Sequence, residues 1–307
     1  MSLLQDTIQA IQAPSAEISE IVKERMQVLL EGDTPQLGKL LPLLCRYLDI
    51  RGCLHPEPPQ KATVICCADH GVSQEGVSAY PPETTAQMTR NYLISRGAAA
   101  NAFSDFADSD LIAVPMDDIP ELIDRCIAPG TADMVKGPAM TRSQAEKSLL
   151  AGIELAETLI AKGYDCFLPG EMGIANTTSS AAIAAVFCGL TPEQATGRGT
   201  NISDERLKHK IGIVRQALAI NQPDASDGLD VLAKIGGFEF GCIAGLILGA
   251  AAHRCTVILD GANSSAAALI AQALAPGSAA YLLPSHLGSE RSHRHMLKKL
   301  GLSPFLR

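Results

Sequence analysis

Residues 164–188, YDCFLPGEMGIANTTSSAAIAAVFC, decide the fold of this chain. They begin with a short apolar run, residues 164–168, bounded by turn residues, which predicts a buried strand. A loop rich in glycine and polar residues follows at 170–178, and a run of small residues typical of a closely packed helix begins at Ser179. A strand, a turn and a helix in this order form the repeating unit of α/β folds.

The same alternation continues over the rest of the chain. Short apolar runs predict buried strands, and the Ala-rich or amphipathic stretches between them predict helices. The strands are predicted at 62–68, 111–116, 164–168, 256–259 and 280–283, and long helices at 141–161, 177–188 and 264–274. Residues 3–31 predict two more helices, because apolar residues recur at helical spacing on both sides of Pro14-Ser15. We therefore expect an α/β fold with a mainly parallel, Rossmann-like sheet and helices on both faces.

The composition and net charge of the chain argue against several kinds of binding partner. The chain of 307 residues has a formal net charge of −8, which argues against nucleic acid and against an anionic membrane, since both attract basic surfaces. Its longest apolar run, residues 240–252, is too short to cross a bilayer. The nine cysteines include no C-x-x-C spacing, and the N-terminal residues lack the basic and apolar build of a leader peptide. We expect reduced thiols, no bound metal and a cytoplasmic location.

Polar residues next to glycine follow four of the predicted strands. These strand ends are Asp69-His70-Gly71, Gly170-Glu171-Met172-Gly173, Asp260-Gly261 and Ser285-His286-Leu287-Gly288. In open parallel sheets, ligands bind in the crevice outside the carboxyl ends of the strands. The sequence therefore predicts one site to which all four strand ends contribute.

The loop at 170–178 is the first candidate binding site. A strand-to-helix turn of this kind aims backbone N–H groups and the positive end of the helix dipole at an anion, so phosphate is the expected ligand. The alternative is an ordinary turn that needs glycine and a helix cap. Glu171 either accepts a proton or contacts a ribose hydroxyl, or it is a solvated loop acid. A second loop, residues 197–201, with Lys208 and Lys210 beyond it, adds cationic charge to the same phosphate or is an exposed basic turn.

Eight ordered segments resemble motifs of a known enzyme family. They are Ala68-Asp69-His70-Gly71-Val72, Glu75-Gly76-Val77-Ser78-Ala79-Tyr80-Pro81, Gly137-Pro138-Ala139-Met140-Thr141, the loop at 170–178, Gly197-Arg198-Gly199-Thr200, Gly236-Gly237-Phe238-Glu239, Leu259-Asp260-Gly261 and Ser285-His286. They are similar to segments of nicotinate-nucleotide–dimethylbenzimidazole phosphoribosyltransferases, which make the nucleotide of the lower cobamide ligand. The resemblance runs from about Pro35 to the C-terminus.

This resemblance implies transfer of the phosphoribosyl group of nicotinate mononucleotide to a lower-ligand base or a phenolic acceptor in cobamide (vitamin B12-type) biosynthesis. It implies a large α/β domain at 56–284, a small helical domain from 1–55 and 285–307, and a dimer. No cofactor or metal is implied, because the pyridinium of the donor is already a good leaving group and the enzyme needs only positioning and a base.

The resemblance also assigns roles to residues. It places Glu171 near the reacting sugar as the catalytic residue, and Lys210 near the donor phosphate. The other substrate-binding residues that it implies are Gly173, Ile174, Ala175, Asn176 and Thr177 on the loop, Gly288 and Ser289 towards the end of the chain, and Tyr80, Gln87 and Met88 in the acceptor pocket.

The chain departs from the family pattern at several positions. Ala175 stands where the family usually has glycine, Gly288-Ser289 replaces a serine followed by a small residue, and an early glycine motif is reduced to Thr34-Pro35-Gln36-Leu37-Gly38. The family's expected catalytic base is a glutamate in a C-terminal motif, roughly R-L-G-E-G-T-G, and the sequence stops before this motif at Arg307.

From these departures we expect a short subunit of a heteromeric enzyme, similar to the two-subunit enzymes that use phenol or p-cresol. A longer paralogue then supplies the glutamate. The alternatives are a truncated homodimeric enzyme with little activity and a catalytically silent partner that stabilises a longer active paralogue.

Two other enzyme classes have partial support. Residues 257–265 resemble the strand and loop of diphosphate-dependent phosphoribosyltransferases, but they lack the paired acids that hold ribose and magnesium. Asp69, His70, His286, His293 and His295 are of the types that bind metal in hydrolases, although the last two lie in a basic stretch typical of a protein surface.

Overall fold

The computed structural model describes residues 2–29, 37–117 and 125–306. Thr34, Pro35 and Gln36 of the early glycine motif lie outside these residues. The strands are β1 (Lys61–Cys67), β2 (Ser109–Pro115), β3 (Cys166–Met172), β4 (Thr256–Leu259) and β5 (Leu282–Pro284). The α-helices are α1 (Leu3–Ala10), α2 (Glu17–Leu29), α3 (Leu40–Arg51), α4 (Thr84–Arg90), α5 (Ala99–Phe106), α6 (Arg142–Ala161), α7 (Asn176–Cys188), α8 (Pro192–Ala195), α9 (Asp204–Asn221), α10 (Gly228–Ile235), α11 (Phe238–Ala252), α12 (Ala262–Leu274) and α13 (His293–Lys299).

The five strands form one sheet in the order β2-β1-β3-β4-β5, and every pairing is parallel. The chain runs from β1 out to β2 and then returns to β3 on the other side of β1. The strand order therefore reverses between β1 and β3, which is the position where open α/β sheets bind ligands. Cys67 at the end of β1 is level with Met172 at the end of β3, so both strands finish at this crevice.

The predicted α/β class is confirmed, and the main difference lies at β3. The sequence predicted a strand at 164–168 and a loop at 170–178, whereas β3 continues through Met172 and α7 already begins at Asn176. Parallel pairing with β1 carries Pro169 and Gly170 in the strand. The predicted loop is thus only a turn at residues 173–175.

Helices cover both faces of the sheet, as the sequence predicted. Val64 and Cys66 of β1 point into the main core, which also contains Leu149 of α6 and Leu246 of α11. The alternate residues of β1 belong to a second buried cluster on the opposite face, together with Tyr92 and Met88. This alternation follows from the two-residue period of a strand.

Helices α6 and α11 approach each other closely in the core. A Cβ atom added to Gly152 would lie 1.9 Å from the carbonyl oxygen of Cys242, and one added to Gly245 would lie 2.0 Å from that of Leu149. The apolar run at 240–252 is thus a core helix. Within the three described ranges, no helix is both long enough and apolar enough to cross a membrane.

The N-terminal helices and α13 pack at different places. Val22 of α2 lies in a buried cluster with Cys45 and Leu48 of α3, whereas α13 packs on α7 and α12. The Lys39 Nζ donates to the carbonyl oxygen of Phe305 at 2.8 Å and so joins the two ends of the chain. The division into domains at 1–55 with 285–307, and at 56–284, stays a prediction.

Gly152→Ala should destabilise the protein, because its new methyl group overlaps the α11 backbone, which cannot move as a flexible side chain can. We expect a loss of about 2–3 kcal/mol in the free energy of unfolding, measured by urea denaturation. Gly212→Ala in α9 is the matched control, since no atom lies within 4 Å of its added Cβ. It should be neutral or stabilising by up to about 1 kcal/mol. Equal effects of the two substitutions would contradict this packing.

Candidate active site

Four polar strand ends meet at one edge of the sheet. The Ser285 Oγ after β5 donates to the carbonyl oxygen of Asp260 after β4 at 3.3 Å. Gly173 after β3 lies against the end of β1, because a Cβ atom there would stand 2.4 Å from the carbonyl oxygen of Ala68 and 3.2 Å from the His70 ring. A side chain at 173 is excluded by this contact, so glycine is required where the two central strands end.

Glu171 is the penultimate residue of β3 and lies in the middle of this edge. Its Oε1 accepts a hydrogen bond from the Asn263 Nδ2 at 2.9 Å, and its Oε2 accepts one from the Asn176 side-chain amide. Burial raises the pKa of Glu171 to about 7, although the two amide donors oppose the shift. A carboxylate of this kind exchanges a proton near neutral pH, which suits a general base.

Lys210 supplies a cation beside α7, the helix that follows Glu171. Its side chain is only 1 % exposed, and its Nζ donates to the Thr177 Oγ1 on the first turn of α7 at 2.7 Å. Burial lowers the pKa of Lys210 to about 8, and the charge of Glu290 opposes that shift. The ammonium has three donors, so it can bind an anion while it keeps its bond to Thr177.

The second predicted loop contributes backbone rather than charge. The Gly199 N–H donates to the Glu290 Oε1 at 2.8 Å. The Arg198 guanidinium donates to the carbonyl oxygen of Ile202 at 2.6 Å and to Asp204, and Lys208 is exposed. Of the cations predicted for this site, Lys210 is therefore the one that the structure places at Thr177.

The turn at 173–175 differs from the predicted anion-binding loop. The Ile174 N–H donates to the Thr85 Oγ1 of α4 at 3.1 Å, and the Asn176 and Thr178 N–H groups donate to carbonyl oxygens within the turn. These three donors were expected to face an anion and instead hold the turn together. Ala175 has φ +74°, a left-handed conformation that costs about 1–2 kcal/mol for a residue with a Cβ. Glycine, the residue that the family usually has here, would relieve that strain.

The three residues predicted for the acceptor pocket lie on α4 or shortly before it. Tyr80 and Gln87 are exposed, and Met88 packs with Cys67 and Tyr92 in the cluster on the second face of the sheet. Their contact with an acceptor stays a prediction.

Gly288 and Ser289 follow β5, and they differ in their contacts and exposure. The Gly288 N–H donates to the His293 Nδ1 at 2.9 Å, while Ser289 is exposed. Glu290, the next residue along the chain, reaches into the site instead.

Glu171 lines two cavities. One, of about 410 Å³, is lined mainly by apolar side chains, including Ile65, Tyr92, Phe103 and Leu168. A smaller polar cavity of about 90 Å³ is lined by Glu171, Thr177, Asn263 and Glu290. One carboxylate can therefore face an apolar ligand on one side and a polar ligand on the other.

A buried acidic cluster beneath the turn was missed by sequence reasoning. The His70 Nε2 and the Glu239 Oε1 lie 2.6 Å apart, and both side chains are at most 1 % exposed. Burial lowers the pKa of His70, but the Glu239 carboxylate outweighs it and raises the pKa above its ordinary value. Burial also raises the pKa of Asp117, which accepts a hydrogen bond from the Asp69 N–H, to about 8.

Sequence signals existed for parts of this cluster. Asp117 closely follows β2 as a polar strand end, and Glu239 belongs to one of the family motifs. The pairing of His70 with Glu239, 169 residues away, has no local signal. Among the residues that the structure describes, no three His, Cys, Asp or Glu side chains are arranged to hold a metal ion.

A family model described as a phosphoribosyltransferase matches residues 11–307. A nicotinate-nucleotide–dimethylbenzimidazole phosphoribosyltransferase of Syntrophotalea carbinolica is 45% identical, with 100% of this chain and 88% of the relative covered. The relative of the same name from Desulforamulus reducens is 44% identical, with 100% and 89% covered. The crystal structure of CobT from Thermus thermophilus superimposes with a TM-score of 0.88 at 40% identity, covering 94% of this chain and 88% of that one.

The chain belongs to the nicotinate-nucleotide–dimethylbenzimidazole phosphoribosyltransferase family. The family resemblance found in the sequence is thereby confirmed. The narrower expectation, a short subunit of a heteromeric enzyme, stays a prediction.

Proposed function

We propose that this chain transfers the phosphoribosyl group of nicotinate mononucleotide to dimethylbenzimidazole or a related base or phenol, in cobamide biosynthesis. The names of its relatives supply the two substrates. One observation carries the assignment to this site: Glu171, with a pKa of about 7, lines both a larger, mainly apolar cavity and a smaller cavity that includes Thr177, the hydrogen-bond partner of Lys210.

The donor fits the polar side of Glu171. Its phosphate accepts hydrogen bonds from the Lys210 Nζ and the Thr177 Oγ1, because both are donors in a half-closed pocket at the start of a helix. The ribose then points towards Glu171 and the two asparagine amides that hold it. Burial of the ammonium strengthens its attraction to phosphate, since little water screens the pair.

The reaction needs a base rather than a metal. The bond between C1′ of the ribose and the pyridinium nitrogen breaks, and its electron pair neutralises the nicotinate ring. A ring nitrogen or hydroxyl oxygen of the acceptor forms the new bond to C1′, and the N–H or O–H proton of the acceptor passes to Glu171. In this proposal Glu171 takes the role of base that the family resemblance assigns to the C-terminal glutamate. Before that transfer, the negative Glu171 also stabilises positive charge that develops at C1′.

The acceptor enters from the other side, where α4 packs on β1 and β3. Tyr80, Gln87 and Met88 lie on or near this helix, and we propose that they contact the acceptor ring. The apolar character of the neighbouring cavity favours an uncharged planar molecule. Assembly as a dimer, dependence on a longer paralogue and the cytoplasmic location stay predictions.

Purified chain should form α-ribosyl phosphate product from nicotinate mononucleotide and dimethylbenzimidazole, alone or after mixing with a longer paralogous subunit. Glu171→Gln should lower kcat at least 100-fold, because the amide cannot accept the proton. The control is Glu205→Gln, an exposed glutamate in the first turn of α9, which should leave kcat within twofold. Unchanged kcat for Glu171→Gln in the assembled enzyme would favour the silent-subunit alternative. If calorimetry detects no binding of nicotinate mononucleotide, the proposed function is wrong.

The pH dependence of kcat/KM for the donor should be bell-shaped. Activity falls as pH drops below about 7, where Glu171 becomes protonated, and falls again above about 8, where Lys210 loses its charge. Lys210→Arg should remove the alkaline limb, since arginine stays protonated, and should keep the acid limb. An alkaline limb that is unchanged in Lys210→Arg would show that Lys210 does not bind the donor as a cation.

A further inference from the structure

The segment between β5 and α13 closes on itself through His293. The Gly288 N–H donates to the His293 Nδ1 at 2.9 Å, and the His293 N–H donates to the carbonyl oxygen of Glu290 at 3.1 Å. The His293 side chain is fully buried. Because Nδ1 is the acceptor, the ring proton must sit on Nε2 and the imidazole is neutral. Burial and the neighbouring His286 lower the pKa of His293 to about 4, which keeps it neutral at physiological pH.

This closed loop, residues 288–293, holds Glu290 against the glycine loop at residues 197–199. The Glu290 Oε1 accepts the Gly199 N–H at 2.8 Å. A Cβ atom added to Gly197 would stand 1.9 Å from the Glu290 Oε2. The carboxylate thus fills the space that any side chain at 197 would need.

The opposite side of the glycine loop rests on the proposed phosphate site. A Cβ atom added to Gly199 would lie 2.6 Å from the Thr177 Oγ1 and 3.0 Å from the Lys210 Nζ. The loop is therefore held between Glu290 on one side and the Lys210–Thr177 pair on the other. A shift of Glu290 by about an ångström would change the position of Gly199 and the space beside the ammonium.

We propose that His293 is a positioning residue for the donor phosphate, which acts through Gly288 and Glu290 on the glycine loop beside Lys210. It rests on the proposed function, because the anion is taken to be the phosphate of nicotinate mononucleotide. His293 does not touch the donor. Its role is to accept one hydrogen bond that gives the 288–293 loop a single conformation and keeps the Glu290 carboxylate in its place.

A purely structural role for His293 makes a different prediction. If the imidazole served only to fill the core beside α13, its loss would lower stability and the amount of active enzyme, but the folded fraction would bind the donor normally. The positioning role instead raises the KM for nicotinate mononucleotide in folded protein and leaves the KM for the acceptor unchanged. The split between the two KM values therefore separates the two roles.

The first test compares three histidine variants in the active assembly. His293→Leu removes the acceptor and should raise the KM for nicotinate mononucleotide about tenfold, with the acceptor KM within twofold. His293→Asn keeps an oxygen close to the position of Nδ1 and should restore the donor KM to within about threefold. His295→Leu, an exposed position on the same helix, is the control and should match the wild type.

The second test reaches the same contact without changing His293. Gly197→Ala should expel the Glu290 carboxylate and raise the donor KM at least tenfold, whereas Gly212→Ala, on the helix that carries Lys210, should not. If His293→Leu does not fold, an unchanged donor KM in Gly197→Ala still overturns the proposal, because the Glu290 contact through which His293 acts would then have no effect on the donor.

The outcomes distinguish this inference from the proposed function. Wild-type protein that forms no product, alone or with a longer paralogue, fails the proposed function. If the wild type is active but folded His293→Leu or Gly197→Ala keeps the donor KM within twofold, the role of His293 is overturned and the proposed function still stands.

Discussion

Parallel pairing of β1 with β3 is the constraint on which the rest of the site depends. The register that sets Cys67 level with Met172 ends both central strands at the point where the strand order reverses. It presses Gly173 against the end of β1 and leaves Glu171 at the open edge. The helix that follows starts at once, so Asn176 and Thr177 stand beside the same carboxylate. The geometry of the site is therefore set by residues on or next to a strand and a helix, rather than by a flexible loop.

Burial then gives this edge its chemistry. The same partial removal from water raises the pKa of Glu171 to about 7 and lowers that of Lys210 to about 8. Both groups would be ordinary charges in water, with Glu171 a weaker base. In the fold, Glu171 can accept a proton near neutral pH, and Lys210 is still charged there. Asn263 moderates the shift at Glu171 by donating to the carboxylate.

Much of this could be predicted from one sequence. Short apolar runs located the strands, and polar strand ends located the edge. The predicted end of β3 was wrong, because proline and glycine such as Pro169 and Gly170 usually disfavour strands. In the structure, β4 pairs with β3 only at Cys166 and Phe167. Pro169 therefore has no strand neighbour on that side to which an N–H would have to donate. The contact of Gly199 with Glu290 joins residues 91 positions apart. No local pattern encodes such a contact, since it depends on how the finished sheet brings its loops together.

The most direct measurement is a crystal structure of the protein with nicotinate mononucleotide bound. We expect phosphate oxygens within hydrogen-bond distance of the Lys210 Nζ and the Thr177 Oγ1, with the C1′ atom on the side of Glu171 that faces Asn263. A donor whose phosphate lies elsewhere on the protein, with Lys210 still bonded to Thr177 alone, would contradict it.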